Sequence, residues 1–325
     1  MSHLPDQIPE IALDWHRAGA GAALASVVQT WGSAPRQPGS QLAISGAGAL
    51  MGSVSGGCVE GAVVAEALEA LTDGRPRLLT YGVSDDSAFA VGLACGGTIR
   101  ILVEPVGDGP QALSPAMLSQ IVDARAARHA VGVLTDLDSF ARRVVSPSDF
   151  PDPFRADRSG LQPDGAFLTL HNPPLRLVVV GAVHIAQALL PMARMAGYDP
   201  VLVDPREAFA SADRFPGERL VHDWPDAALD TMGLDARTAV VTLTHDSKLD
   251  DPAIIAALRS DVFYLGCLGS TRTHAKRLDR LRALGIDAGA LSRIHAPVGL
   301  NIGAKTPAEI ALSTLAQITA ILRGV

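Results

Sequence analysis

The chain has 325 residues, is 48% hydrophobic and carries a net charge of −7. That length allows two domains, and the apolar content supplies a substantial core and excludes disorder throughout. The acidic balance excludes a basic nucleic-acid face, and no apolar run reaches the roughly 18 residues of a membrane-spanning helix.

Residues 1–6 show neither the basic nor the apolar region of a secretory signal. The chain has three cysteines, an odd number that suits reduced thiols better than a disulfide framework. The expectation is a cytoplasmic protein, with a homodimer as the default assembly.

In chain order, residues 24–30 read as an apolar strand, followed by a turn-rich loop over 31–39 that carries Arg36. Residues 41–44 and 50–54 flank Ser45-Gly46-Ala47-Gly48 as a hairpin. Val59, Val63, Ala67 and Leu71 recur at helical spacing, and Gly74 follows as a stop. Residues 98–103 read as a strand, 117–128 as a helix and 131–135 as a strand. The stretch 146–160 is rich in Pro, Asp and Ser. Asn172-Pro173-Pro174 marks a domain boundary, because paired prolines break helix and sheet alike. The expected domains are therefore 1–172 and 173–325.

The second half alternates strand and helix patterns. Strands are predicted at 175–180, 201–203, 239–243 and 262–265, and helices at 184–196, 252–259 and 271–284. A last helix opens on a capping box of Thr306, Pro307 and Glu309. The fold class is α/β: an N-terminal α/β domain followed by a Rossmann-like domain with a doubly wound parallel sheet.

Two cysteines lie against paired glycines, in Ser55-Gly56-Gly57-Cys58-Val59-Glu60 and Cys95-Gly96-Gly97. Glycine lets a backbone approach a ligand closely. Cys58 stands at a predicted helix start, where free N–H groups and the helix dipole favour a thiolate. Glu60 gains from the same dipole. The competing reading is a small buried cysteine. Neither Cys58 nor Cys95 has a second Cys or His at zinc-ligand spacing. No Gly-x-Ser-x-Gly elbow is present, so Ser55 reads as a hydrogen-bonding residue. Arg36 suits a bidentate anion clamp or a solvated loop. Cys267 reads as packing.

Gly181 closes the strand 175–180, and Asp204 ends the next strand 23 residues later, the spacing of a nucleotide-binding unit. Val183 occupies the position of the second fingerprint glycine, where a side chain obstructs a pyrophosphate. A nucleotide site with Asp204 on a ribose hydroxyl and a fold without that binding mode both fit. His184, His245 and Ser270 follow strand ends, where open α/β sheets hold ligands. Ser270 suits a phosphate at a helix N-terminus or a simple cap.

Taken in order, these segments resemble the XdhC/CoxI family of accessory proteins to molybdenum hydroxylases. The carriers are Thr30-Trp31-Gly32-Ser33-Ala34-Pro35-Arg36, Gly52-Ser53-Val54-Ser55-Gly56-Gly57-Cys58-Val59-Glu60-Gly61 and Ala94-Cys95-Gly96-Gly97-Thr98. In the second half they are the turn after Gly181, Val203-Asp204-Pro205-Arg206, Leu243-Thr244-His245-Asp246, Leu268-Gly269-Ser270 and the segment 297–312. The resemblance implies a non-catalytic chaperone that binds molybdenum cofactor, as molybdopterin or its dinucleotide, protects it, and delivers it to a xanthine-dehydrogenase-type client. It also implies partnership with a cysteine desulfurase in some members. The family's cysteines fall on Cys58 and Cys95, which suits thiol contacts to the cofactor's soft metal. The chain departs from the family at Val183, Asn301 and Gln317, where glycine, aspartate and often glutamate are usual. An NAD(P)-dependent oxidoreductase built on the second domain is the alternative function.

Overall fold

The computed structural model describes residues 7–32, 36–82 and 97–324. The chain forms two compact units, Met1–Pro173 and Pro174–Val325. No helix among the described residues is long and apolar enough to cross a membrane.

The first unit opens with α1 (Ile8–Arg17), β1 (Ala22–Trp31), β2 (Gln41–Ser45), β3 (Leu50–Gly52), α2 (Glu60–Asp73), β4 (Arg77–Tyr81) and β5 (Thr98–Pro105). The strands form an antiparallel sheet in the order β3-β2-β1-β5-β4. The central strand, β1, is buried on both faces, which explains its run of small apolar residues. Ala23, Ala25 and Val27 face α2, and Leu24 faces α1. On α2, Val63, Ala67 and Ala70 are fully buried, and each buried valine stabilises the packing by about 1.5–3 kcal/mol. The helix ends at Gly74, whose φ of 70° is the left-handed stop that its glycine permits.

The same unit continues with α3 (Pro115–Ala126), β6 (Val131–Thr135), β7 (Arg142–Val145), α4 (Pro151–Arg155), β8 (Gly160–Leu161) and β9 (Phe167–His171). These strands make a second sheet in the order β7-β6-β9-β8, antiparallel throughout. Between the sheets lies a pocket lined by polar Ser26, Gln41, Glu104, Thr135, Thr169 and His171 and by apolar Leu24, Leu113, Leu118, Ile121 and Val133. Burial, helped by the charge of Arg125, pushes the His171 imidazole down to about 3.

The second unit contains β10 (Leu175–Val180), α5 (His184–Met195), β11 (Tyr198–Val203), β12 (Arg219–Val221), α6 (Pro225–Met232) and β13 (Thr238–Thr242). It ends with α7 (Ser247–Leu258), β14 (Tyr264–Cys267), α8 (Thr271–Ala283), α9 (Ala288–Leu291), β15 (Ile294–His295) and α10 (Pro307–Arg323). The sheet order is β12-β11-β10-β13-β14-β15. All pairs are parallel, which is the doubly wound Rossmann order. α5 and α10 cover one face and α6, α7 and α8 the other.

Several sequence-predicted boundaries shift here, and β11 begins at Tyr198 rather than at 201. α7 begins at Ser247 rather than at residue 252, because Asp246 caps it by accepting the N–H of Lys248, and Pro252 is carried inside the helix. β14 begins at Tyr264 rather than at 262. The α10 capping box of Thr306 and Glu309 is formed.

Candidate functional site

The loop between β3 and α2 is organised by a single carboxylate. Oε1 of Glu60 accepts the hydroxyl of Ser53 at 2.8 Å and the N–H groups of Val54, Ser55 and Gly56 at 3.2, 2.9 and 3.1 Å. Oε2 accepts the Gly57 N–H at 2.8 Å and the Ser55 hydroxyl. The Ser55 oxygen in turn accepts the N–H groups of Cys58 and Val59, both at 3.0 Å. Such a wrap requires left-handed backbone, supplied by Gly56 and Gly57 at φ 79° and 115°. Burial opposes the charge on Glu60, yet the bonds from Ser55 and Ser53 hold its carboxyl at about 2, against an ordinary 4.5.

Glu60 therefore spends its oxygens on the loop, and Ser55, at 1% exposure, is an internal brace. The exposed residues of the loop are Gly56 and Gly57. Cys58 is half-buried and packs against the cluster that contains Val54, Val59, Ile99 and Tyr81. Gly57 is exposed, and among the described residues no atom lies within 4 Å of where a Cβ would stand.

Sheet register places the other first-unit candidates. Trp31 at the end of β1 lies opposite Thr98, Tyr81 at the end of β4 opposite Ile99, and Gly52 at the end of β3 opposite Leu42. The connections 32–40, 53–59 and 82–97 thus all leave the same end of the sheet. Arg36, in the first of them, is exposed, and Gly97, at the end of the last, is buried. Cys95 and Gly96 lie outside the described residues.

In the second unit the β10–α5 turn is closed upon itself. The N–H of Gly181 goes to the carbonyl of Val203 and that of Val183 to Gly181, both at 2.9 Å. The N–H of Ala182 goes to Oδ2 of Asp204 at 2.8 Å. Sequence spacing offered Asp204 to a ribose hydroxyl; instead it is 0% exposed. Arg206 occupies both its oxygens, Nε on Oδ1 at 2.8 Å and Nη2 on Oδ2 at 2.7 Å. Burial works against the charge, but Arg206 and the N–H of Ala182 hold Asp204 below the usual carboxylate range.

Gly181, at φ 113°, is pressed against the next loop, and a Cβ there would meet Cγ2 of Thr244 at 2.5 Å. Thr244 is anchored by its hydroxyl to Oδ1 of Asp250 at 2.6 Å. His184 is the first, exposed residue of α5. His245 is exposed at φ 64° after β13. Ser270 caps α8, accepting the N–H of Thr273. Cys267 is fully buried, and burial pushes its thiol up to about 11. Among the described residues no group of three or more His, Cys, Asp or Glu is placed to hold a metal ion.

The sequence reading missed Ser53, Arg206 and Arg277. Ser53 was legible only as the residue seven before Glu60. Arg206 sits two beyond the strand-end acid, a spacing from which a self-closing pair is readable. Arg277 is buried on α8 with Leu281 one turn on, an apolar-face position that usually signals a hydrophobic side chain.

An antiparallel unit with a cysteine on a glycine loop, joined to a Rossmann unit, defines the class. Residues 177–318 match the XdhC Rossmann domain, and residues 15–82 match the XdhC and CoxI family. The molybdenum cofactor insertion chaperone PaoD of Escherichia coli (strain K12) is 32% identical over 314 residues, covering 97% of this chain and 87% of that protein. A probable xanthine dehydrogenase subunit of Bacillus subtilis (strain 168) is 27% identical over 311 residues, covering 91% of this chain and 92% of that one. A crystal structure of a xanthine dehydrogenase from Bacillus halodurans has the same fold, with a TM-score of 0.75 at 22% identity over 97% of this chain and 96% of that one. The chain belongs to the XdhC and CoxI family.

Proposed function

We propose that the chain binds molybdenum cofactor as cargo and hands it to a molybdenum hydroxylase of the xanthine dehydrogenase type. The observation that carries this reading is the Glu60-clamped loop, which holds half-buried Cys58 next to two exposed glycines. A thiol is a soft donor suited to a molybdenum centre, and Gly57 leaves room for a bulky ligand. The cargo's own dithiolene already holds the metal, so the protein adds contacts weak enough for rapid release.

Cys58, Gly56 and Gly57 are the proposed contacts from the described residues. Arg36 and Gly97 join them from loops at the same sheet end, and Cys95 and Gly96 join from the family resemblance. Glu60 and Ser55 act as positioning residues. Sulfuration of the cargo would require a cysteine desulfurase as a second partner. The oxidoreductase alternative needs a dinucleotide on the β10–α5 turn, where Val183, the engaged N–H groups and the sealed Asp204 oppose it.

Titration with purified molybdenum cofactor tests the proposal. Wild type should bind and activate an apo-hydroxylase, and Cys58→Ala should weaken both about tenfold or more, the loss expected of one strong polar contact. Equal binding by wild type and variant removes the thiol's role, and no binding by either removes the proposal.

A further inference from the structure

We propose that the β14–α8 turn of the second unit, Leu268-Gly269-Ser270-Thr271, binds a phosphate-class oxyanion, with the buried guanidinium of Arg277 as its counter-charge. No hydrogen bond from the N–H groups of Gly269, Ser270, Thr271 or Arg272 is present among the described residues. The contrast is with the β10–α5 turn, where Gly181, Ala182 and Val183 all donate internally. α8 runs from Thr271 to Ala283, long enough for its dipole to favour an anion at this end.

Arg277 is the independent sign of a ligand. It is only 2% exposed, and its Nη2 donates to the carbonyl of Leu268 at 2.9 Å, which aims the guanidinium at the turn. Among the described residues Nε and Nη1 of the same group have no hydrogen-bond partner, a costly condition for a buried charge. Asp250 neutralises it only in part. Oδ2 of Asp250 stands 3.7 Å from Nη2, while Oδ1 is committed to Thr244. Arg272 and Lys276, on the first turns of α8, add positive charge around the same end. The Ser270 hydroxyl serves the cap, accepting the Thr273 N–H at 3.2 Å. Its contribution to an anion is therefore its backbone N–H.

The experiment is calorimetric titration of the full chain with inorganic phosphate, against sodium chloride at matched ionic strength. Thr271→Pro deletes one free N–H at a position where proline suits a helix start, and Ser270 already has the extended backbone (φ −72°, ψ 166°) that a following proline demands. His184→Pro makes the same change at the start of α5. Wild type and His184→Pro should bind phosphate alike, and Thr271→Pro should bind it about tenfold more weakly, as expected for one charge-assisted bond. Arg277→Met should abolish binding, and Thr271→Pro remains decisive if that variant does not fold. No phosphate effect beyond that of chloride overturns the assignment, as does a loss in His184→Pro matching that in Thr271→Pro.

A parallel titration with ADP distinguishes the sources. Tighter binding than phosphate, with the same order of variants, assigns the turn to a phosphate carried on a larger molecule, and weaker or equal binding assigns it to the free ion. ADP binding that Thr271→Pro leaves unchanged also overturns the assignment. None of these readouts involves molybdenum cofactor, so their failure leaves the reading of the first unit standing.

Discussion

The Ser55 hydroxyl donates to the Glu60 carboxylate while accepting the N–H groups of Cys58 and Val59. One side chain thereby joins the acid that gathers the loop to the backbone that carries the thiol. Ser55→Ala should cost about 1–2 kcal/mol, the usual loss for a capping hydroxyl. It should also speed alkylation of Cys58, read peptide by peptide after iodoacetamide treatment, while buried Cys267 stays protected.

Glu60→Gln replaces a charged acceptor with an amide whose NH2 faces N–H donors. Loss of the charge-assisted bonds should destabilise the protein by about 2 kcal/mol near neutral pH. The folded carboxyl sits at about 2 against an ordinary 4.5, so its stabilisation is complete above 4.5 and disappears as pH falls toward 2. Urea midpoints of wild type and variant should converge over that window; a gap constant from pH 6 to pH 3 contradicts the role.

Glycines around the loop should respond in opposite directions. At Gly52, φ 95°, a Cβ would collide with the Gln41 carbonyl oxygen, so Gly52→Ala should cost about 1–3 kcal/mol. Gly61 lies in α2 with no atom of the described residues within 4 Å of the added carbon, and Gly61→Ala should stabilise by about 0.5–1 kcal/mol. Thermal melts check both.

His171 should weaken the fold in acid. Its folded value is about 3 against an ordinary 6.5, so below 6.5 the unfolded chain binds a proton that the folded chain refuses. Stability conferred by neutral His171 is complete above 6.5 and is lost as pH falls toward 3, by at most about 1.4 kcal/mol per pH unit. His171→Gln removes that titration, so its deficit relative to wild type should shrink between pH 7 and pH 4 in denaturant melts.

Neither NAD(H) nor NADP(H) should bind at millimolar concentration by fluorescence titration, and Val183→Gly alone should not create a site. The added glycine clears a side chain but leaves Ala182 bonded to Asp204 and Asp204 closed by Arg206. Saturable binding by wild type would restore the oxidoreductase reading.

The Rossmann layer was legible because its signals are local. An apolar run such as Leu177-Val178-Val179-Val180 can only be a buried strand before Gly181, and Thr306 and Glu309 mark a helix start within four residues. α7 was misplaced because Pro252 looks like a start, while the cap that decides is Asp246, six residues earlier. The thiol loop was legible as Gly-Gly-Cys, but not the role of Glu60, since a helix-start acid reads as a dipole partner. Its inward turn depends on φ values that only the folded loop reveals. Asp204 failed for the same reason, because spacing finds an acid at a strand end but not the arginine that closes on it.

The place of β1 between β2 and β5 has a consequence for synthesis. β2 pairs with it within a hairpin, but Trp31 meets Thr98 only after the intervening segment has been made. At about 5–20 residues per second that interval is roughly 3–13 s. For those seconds one edge of the central strand has no neighbour, and Cys58 has been translated before the strand carrying Ile99 arrives to pack beside it. A nascent chain therefore passes through a window of thiol and strand-edge exposure that the finished protein does not have.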